Sequence, residues 1–149
     1  MVYLRDKKTQ KFTELGRTEV ITDNSYPSFT TNFKLDYYFE EEQLLRFDVY
    51  DEDKKGSKKL KDHDFIGPIP IILGELMHET GQSISKKVLS KKGKPIKNKK
   101  SKKYSSITIS ADKVATGSNS NIKLQFTCNN LPKMDGMFGM LSFTSNIIY

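Results

Sequence analysis

Four aspartates, Asp51, Asp53, Asp62 and Asp64, fall within one stretch, QLLRFDVYDEDKKGSKKLKDHDFIG, spanning residues 43–67. Carboxylates gathered on a loop supply the oxygen ligands that a hard cation such as Ca²⁺ takes. Asp51 and Asp53 are two positions apart, so in an extended segment their side chains point the same way and can face one ion. Asp64 returns at the other stem of the loop to close the site, with Asp62 a weaker fourth candidate. Calcium takes about six to eight oxygens, more than three carboxylates offer, which leaves room for main-chain carbonyls and a phosphate. A plainer reading stays open beside this one. The same aspartates can be a solvated loop neutralised by Lys54, Lys55, Lys58, Lys59 and Lys61.

Two strands must hold that loop. Leu45, Phe47 and Val49 alternate with Arg46, Asp48 and Tyr50, the period of a half-buried strand. The returning arm, Phe65 to Leu73, is apolar, and Pro68 and Pro70 predict an edge or bulged strand. These flanks argue against an EF-hand, which D-E-D-K-K-G superficially resembles. Lys55 stands at its fifth position, and Asp62 stands where a bidentate glutamate belongs.

The rest of the chain follows the same pattern. Residues 1–4, 16–21, 32–38, 105–110 and 122–128 read as short strands, with a polar turn at 5–13 and a Pro27 turn before the third. GELMHET predicts one short helical turn stopped by Gly81. Seven or eight short strands without a long helical pattern predict an all-β fold, an antiparallel β-sandwich.

Charge is divided along the 149 residues. Residues 1–80 carry 12 Lys/Arg against 16 Asp/Glu, whereas residues 81–149 carry 13 against 2, for a net charge of +7. Ten lysines lie between Lys86 and Lys103 with no acid among them. Such a run attracts phosphates of membrane lipid or nucleic acid. It has no arginine and only Tyr104 beside it, which argues against a base-stacking surface and so against nucleic acid. The plain reading is a solvated, mobile loop. No apolar run approaches the roughly 20 residues of a membrane-spanning helix.

Other candidate chemistry is thin. His63 and His78 are too few and too badly spaced for a metal site, and His63 reads as exposed loop. The single cysteine, Cys128, lies on an alternating strand and reads as packing, which excludes an internal disulfide and suits a reducing interior. There is no Gly-rich phosphate loop, nucleophile elbow or pair of catalytic carboxylates, so no enzyme is expected. Met134, Met137, Phe138 and Met140 read equally as a membrane-dipping tip or an ill-packed terminus.

FxVYDxD followed by DFIG resembles the third calcium loop of a C2 domain. The linked blocks ELGRTEVI, LDYYFEEEQLLRFDVYDED, KDHDFIG and ILGEL are similar to the first C2 domain of copines, over roughly residues 1–113. Residues 121–139, NIKLQFTCNNLPKMDGMFG, resemble the start of a copine's second C2 domain, so 114–149 is expected to be a linker and that start. The resemblance implies a C2 sandwich lacking its N-terminal strand and first calcium loop, with the second unit cut short and without the von Willebrand factor A-like domain that copines carry. MLSF replaces the expected SDPF, and Tyr26-Pro27 stands for the usual Asn-Pro. Residue by residue, the resemblance puts Asp51, Asp53 and Asp64 on Ca²⁺, with Asp62 and Asp135 weaker.

It implies calcium-dependent binding to anionic phospholipid membranes, from the cytoplasm to the plasma membrane or another inner membrane face. Lys86, Lys87, Lys91, Lys92, Lys99, Lys100, Lys102 and Lys103 are candidates for added attraction to anionic lipid. The alternative is a calcium-independent module, with a degenerate site, that binds a protein target or anionic lipid. Because C2 domains occur in two circularly related topologies, residues 121–131 can take the vacant strand's place and bring Asp135 beside Asp51 and Asp53.

Overall fold

A computed structural model describes residues 1–116, 119–132 and 140–141. The chain runs β1 (Val2–Arg5), β2 (Phe12–Gly16), β3 (Ile21–Thr22), β4 (Phe33–Asp36), β5 (Leu44–Asp51), β6 (Asp64–Ile72), α1 (Leu73–His78), β7 (Ser83–Lys87), β8 (Ser106–Thr116), β9 (Asn119–Asn129) and β10 (Met140–Leu141). One sheet has the order β2-β1-β5-β6 and the other β4-β9-β8-β7, while β10 pairs with β3. All the pairings are antiparallel.

Alternation builds the core. On β5, Leu45, Phe47 and Val49 point inward, and on β9, Ile122, Leu124, Phe126 and Cys128 do the same. The Phe47 and Phe126 rings meet edge-on at 5.2 Å across the two sheets. On the outer face of the first sheet, the Arg46 guanidinium lies over the rings of Tyr3 and Phe12 and pairs with Asp48 at 3.0 Å. Pro68 and Pro70 sit on β6, the edge strand, where a missing N–H leaves no gap in the ladder. The bulge expected of this arm is present in it: Val49 pairs with Gly67 and Tyr50 with Phe65, which leaves Ile66 of β6 as the extra residue.

Two strand boundaries differ from the sequence reading. The second strand is Phe12–Gly16, within part of the expected turn, and residues 17–20 leave the sheet. There Glu19 turns back, and its carboxylate accepts from the backbone N–H and hydroxyl of both Thr30 and Thr31. The strand expected at 105–110 continues to Thr116, because β9 pairs with it along its whole length.

β9 lies between β4 and β8, bonded to both. Residues 121–131 thus enter the sandwich as a paired inner strand and its continuation. Cys128 N–H donates to Pro27 O at 2.8 Å, and Leu131 N–H to Ser25 O at 3.0 Å.

The topology sorts the connections by end. β5 runs into the aspartate loop and β6 runs away from it to α1 at the far end. β7 then returns, so residues 88–105 emerge beside the aspartates. β8 leaves this end and β9 comes back to it, bringing Asn130 and Leu131.

Candidate functional site

Asp51 ends β5 and Asp64 opens β6, and the two are register partners across the ladder. Asp51 is buried and Asp53 is exposed one step into the loop. Asp62 accepts from Ser57 Oγ at 2.6 Å, and this bond holds its carboxyl below the usual carboxylate range. His63 is half-buried rather than exposed, with Nε2 2.8 Å from Ser57 O. Arg17 ties the loop to β2, donating to Lys58 O at 3.0 Å while paired with Glu14 at 2.8 Å.

Glu52 is the residue that sequence reasoning missed. It is as buried as Asp51, and its Oε1 accepts from Gly56 N–H at 3.0 Å, closing a turn in which Gly56 takes φ +73°. Strict alternation puts Glu52 on the outward parity, so nothing in the pattern marks it. The loop folds over it instead.

The oxygen donors suit calcium in kind. Among the described residues, however, no three carboxylate, histidine or cysteine side chains converge where one ion could sit. Asp51 and Asp64 face each other, Asp62 is engaged by Ser57, and Asp135 lies outside the described residues. Met134, Met137 and Phe138 lie outside them too, and of Met140 only the backbone is described. Among the described residues, the loop by itself is an incomplete cradle for calcium.

The backbone of the lysine-rich segment is folded against the sandwich, while its lysines stay exposed to solvent as the plain reading expects. Val88 N–H donates to Ser105 O at 2.9 Å, Ile96 N–H to Val88 O at 3.0 Å and Ser105 N–H to Ile96 O at 2.9 Å. Two turns follow from this ladder. One runs from Ser90 to Lys94 through Gly93 at φ +73°, and the other from Asn98 to Lys103 through Lys102 at φ +61°. Asn98 is buried and latches the second turn. Its Nδ2 donates to Leu131 O at 2.8 Å, while its Oδ1 accepts from the Lys100 and Ser101 N–H groups. Val88 is wholly buried, so the segment is pinned by core packing as well as by hydrogen bonds.

These bonds decide where each lysine points. Lys86 is drawn to Glu75 of α1 at 3.5 Å. Lys91 lies 5.7 Å from the Phe65 ring centroid, close to the stem of the aspartate loop. Lys87 and Lys97 both lie over the ring of Tyr104, at 4.5 and 4.7 Å from its centroid. Lys92, Lys99, Lys100, Lys102 and Lys103 are exposed on the two turns. The aspartate loop carries as many lysines as acids over residues 51–64, so the charge of this end is set by the lysine segment.

Cys128 is buried, and that burial pushes its thiol up to about 12, which suits packing and not reactivity. No helix among the described residues is long and apolar enough to cross a membrane.

The C2 domain family model matches residues 2–88. The chain is 42% identical over 110 residues to nicotinic receptor-associated protein 1 of Caenorhabditis elegans, covering 70% of this chain and 17% of that protein. It is 38% identical over 93 residues to copine-A of Dictyostelium discoideum, covering 62% of this chain and 14% of that protein. The chain thus spans less than a fifth of the length of these curated relatives. No solved structure matches. With two antiparallel sheets, the DFIG-bearing edge strand and these relatives, the chain belongs to the C2 domain family and, within it, to the copines.

Proposed function

We propose that this C2 domain is a peripheral membrane-binding module that attaches to anionic phospholipid through the end of the sandwich bearing the lysine turns. The observation that carries the reading is the folding of residues 88–105 onto that end, which concentrates ammonium groups on a fixed surface beside the aspartate loop. Each lysine near an anionic leaflet contributes about 1 kcal/mol, and the attraction fades within a Debye length, so the binding is salt-sensitive. The role is one of attachment, with no catalytic step, and the expected place is the cytoplasmic face of the plasma membrane or another inner membrane.

A second reading, calcium-dependent attachment, is favoured by one specific feature, the pairing of Asp51 with Asp64 beside Asp53 at the loop stem. It needs further oxygens to complete the site.

Co-sedimentation with phosphatidylserine vesicles, in calcium and in chelator, separates the two. Pelleting in chelator that falls with salt and with Lys99→Gln/Lys100→Gln/Lys102→Gln/Lys103→Gln supports the lysine-borne reading. Pelleting only in calcium, abolished by Asp51→Asn/Asp53→Asn, transfers the function to the aspartates. No pelleting in either condition overturns membrane attachment and leaves a protein target as the partner class.

A further inference from the structure

The end of the sandwich opposite the lysine turns carries the most exposed large apolar side chain among the described residues. Phe39 is 76% exposed, and Tyr38 beside it 50%. Both lie in the connection from β4 to β5. A lone apolar residue on a surface needs no explanation, but this one is held in place. Glu41 N–H donates to Tyr38 O at 3.1 Å, so residues 38–41 close a turn with Phe39 at its second position. Gln43, buried at the foot of the turn, gives its whole carboxamide to the adjoining backbone. Its Oε1 accepts from Tyr38 N–H and its Nε2 donates to Asp36 O, both at 2.9 Å. Gln43 O accepts from Leu73 N–H at 2.9 Å, which ties the turn to the start of α1.

The last residue of α1 completes the patch. The His78 ring lies 6.2 Å from the Phe39 ring, and its Nδ1–H donates to Gly74 O at 2.7 Å. Glu40 follows Phe39 and Glu79 follows His78 in the chain, and both are exposed. Among the described residues neither has an ion pair, whereas Glu41, Glu42 and Glu75 are paired with Lys7, Arg5 and Lys86. An aromatic face rimmed by unpaired carboxylates matches a guanidinium. That group is planar and weakly hydrated, stacks on a ring and forks onto a carboxylate, whereas an ammonium is a strongly hydrated point charge. The turn is already ordered, so little ordering entropy opposes docking.

We propose that Phe39, with Tyr38 and His78 beside it and Glu40 and Glu79 at its rim, anchors a docking site for an arginine-bearing segment of a partner protein. The guanidinium covers the Phe39 ring, and the two carboxylates set its orientation and the salt dependence of binding. The site goes beyond the membrane reading and does not rest on it. Because it lies at the other end from the lysine turns, a domain attached to a bilayer through those turns keeps it open to the cytosol.

The probe is a phage-displayed library of random peptides panned on the full chain, with the selected peptides then measured by fluorescence anisotropy. Phe39→Ser removes the anchor, Glu40→Gln/Glu79→Gln the rim, and Lys99→Gln/Lys100→Gln is the control at the opposite end. Thermal melting checks that each variant is folded, as expected for exposed positions. Selected peptides should share an arginine, and Phe39→Ser should weaken them by about tenfold or more. Several-fold weakening is expected in Glu40→Gln/Glu79→Gln and in an arginine-to-lysine version of each peptide, with none in the control. Vesicle binding should be the same in Phe39→Ser as in the parent, so the fate of the membrane reading is measured separately. No enrichment, peptides indifferent to Phe39→Ser, or equal binding of the arginine and lysine versions would overturn the site. Self-association of the parent in sedimentation velocity, abolished by Phe39→Ser, would overturn it too and give this face to a second copy of the chain.

Discussion

Gly67 ends the DFIG block on β6, and the fold leaves no room there for even a methyl group. An ideal Cβ would stand 1.7 Å from the Leu89 carbonyl oxygen and 2.8 Å from its carbon, with Val88 Cγ1 at 3.5 Å. The obstacle is main chain, so no rotamer change relieves it, and β6 must part from the lysine segment by roughly 1.5 Å. Overpacking of this kind costs about 1–3 kcal/mol. The upper end applies because Val88 is wholly buried and bonded on both sides, through Ser105 O and Ile96 N–H. For a domain of this size, about 3 kcal/mol lowers Tm by roughly 6–12 °C. Gly74 of α1 is the internal control. Its Cβ would meet nothing within 4 Å, so Gly74→Ala should gain about 0.5–1 kcal/mol from helix propensity. Thermal melting and urea unfolding followed by circular dichroism measure both. A Gly67→Ala protein melting within about 1 °C of the parent would refute the close seating of the lysine segment on β6, and with it the fixed basic end.

Three more outcomes follow from the same geometry. Asn98→Ala removes the buried bond to Leu131 O and should cost about 1–3 kcal/mol in urea unfolding, since a buried acceptor is left unmet. Burial pushes the Glu19 carboxyl up, but the hydrogen bonds from Thr31 and Thr30 outweigh it and hold the group at about 2, against an ordinary 4.5. Its contribution is therefore complete above pH 4.5 and lost as pH falls through 2, and Glu19→Gln should flatten that part of the stability–pH curve. The Cys128 thiol should resist a disulfide reagent in the native protein at pH 8 and react at once in guanidinium. Rapid labelling of the native protein would remove β9 from the core.

Much of the sandwich was legible because period-2 alternation survives where one face is buried, as on Leu45–Phe47–Val49 and Ile122–Leu124–Phe126. The edge position of β6 was legible too, since Pro68 and Pro70 are tolerated there. What escaped was set by tertiary partners. The lysine segment shows no apolar periodicity, and its order comes from Asn98 reaching Leu131 and from Val88 filling the core, two contacts made by single residues amid polar ones. The burial of Glu52 escaped for the same reason, because the turn through Gly56 folds over it and overrides its parity. At the loop, Asp51 and Asp64 stand at the two stems as register partners, while Asp51 is buried, Asp53 is exposed and Ser57 takes up Asp62, differences that the spacing of the aspartates does not encode.

The position of β9 ties the core to the charged end. Without it, β4 and β8 would present unpaired edges across an opened interior, a template for aggregation. Ile122, Leu124 and Phe126 are all buried, and at about 1.5–3 kcal/mol each their burial rivals the whole net stability of a domain, about 5–15 kcal/mol. The same strand continues into Asn130 and Leu131, whose carbonyls receive the Ser105 hydroxyl at 2.6 Å and the Asn98 amide at 2.8 Å. A segment that resembles the opening of a following domain thus completes the sheet and also anchors the turn carrying Lys99 to Lys103. The display of lysines is in this sense a product of core packing, and a lesion on β9 should weaken anionic binding without touching a single lysine.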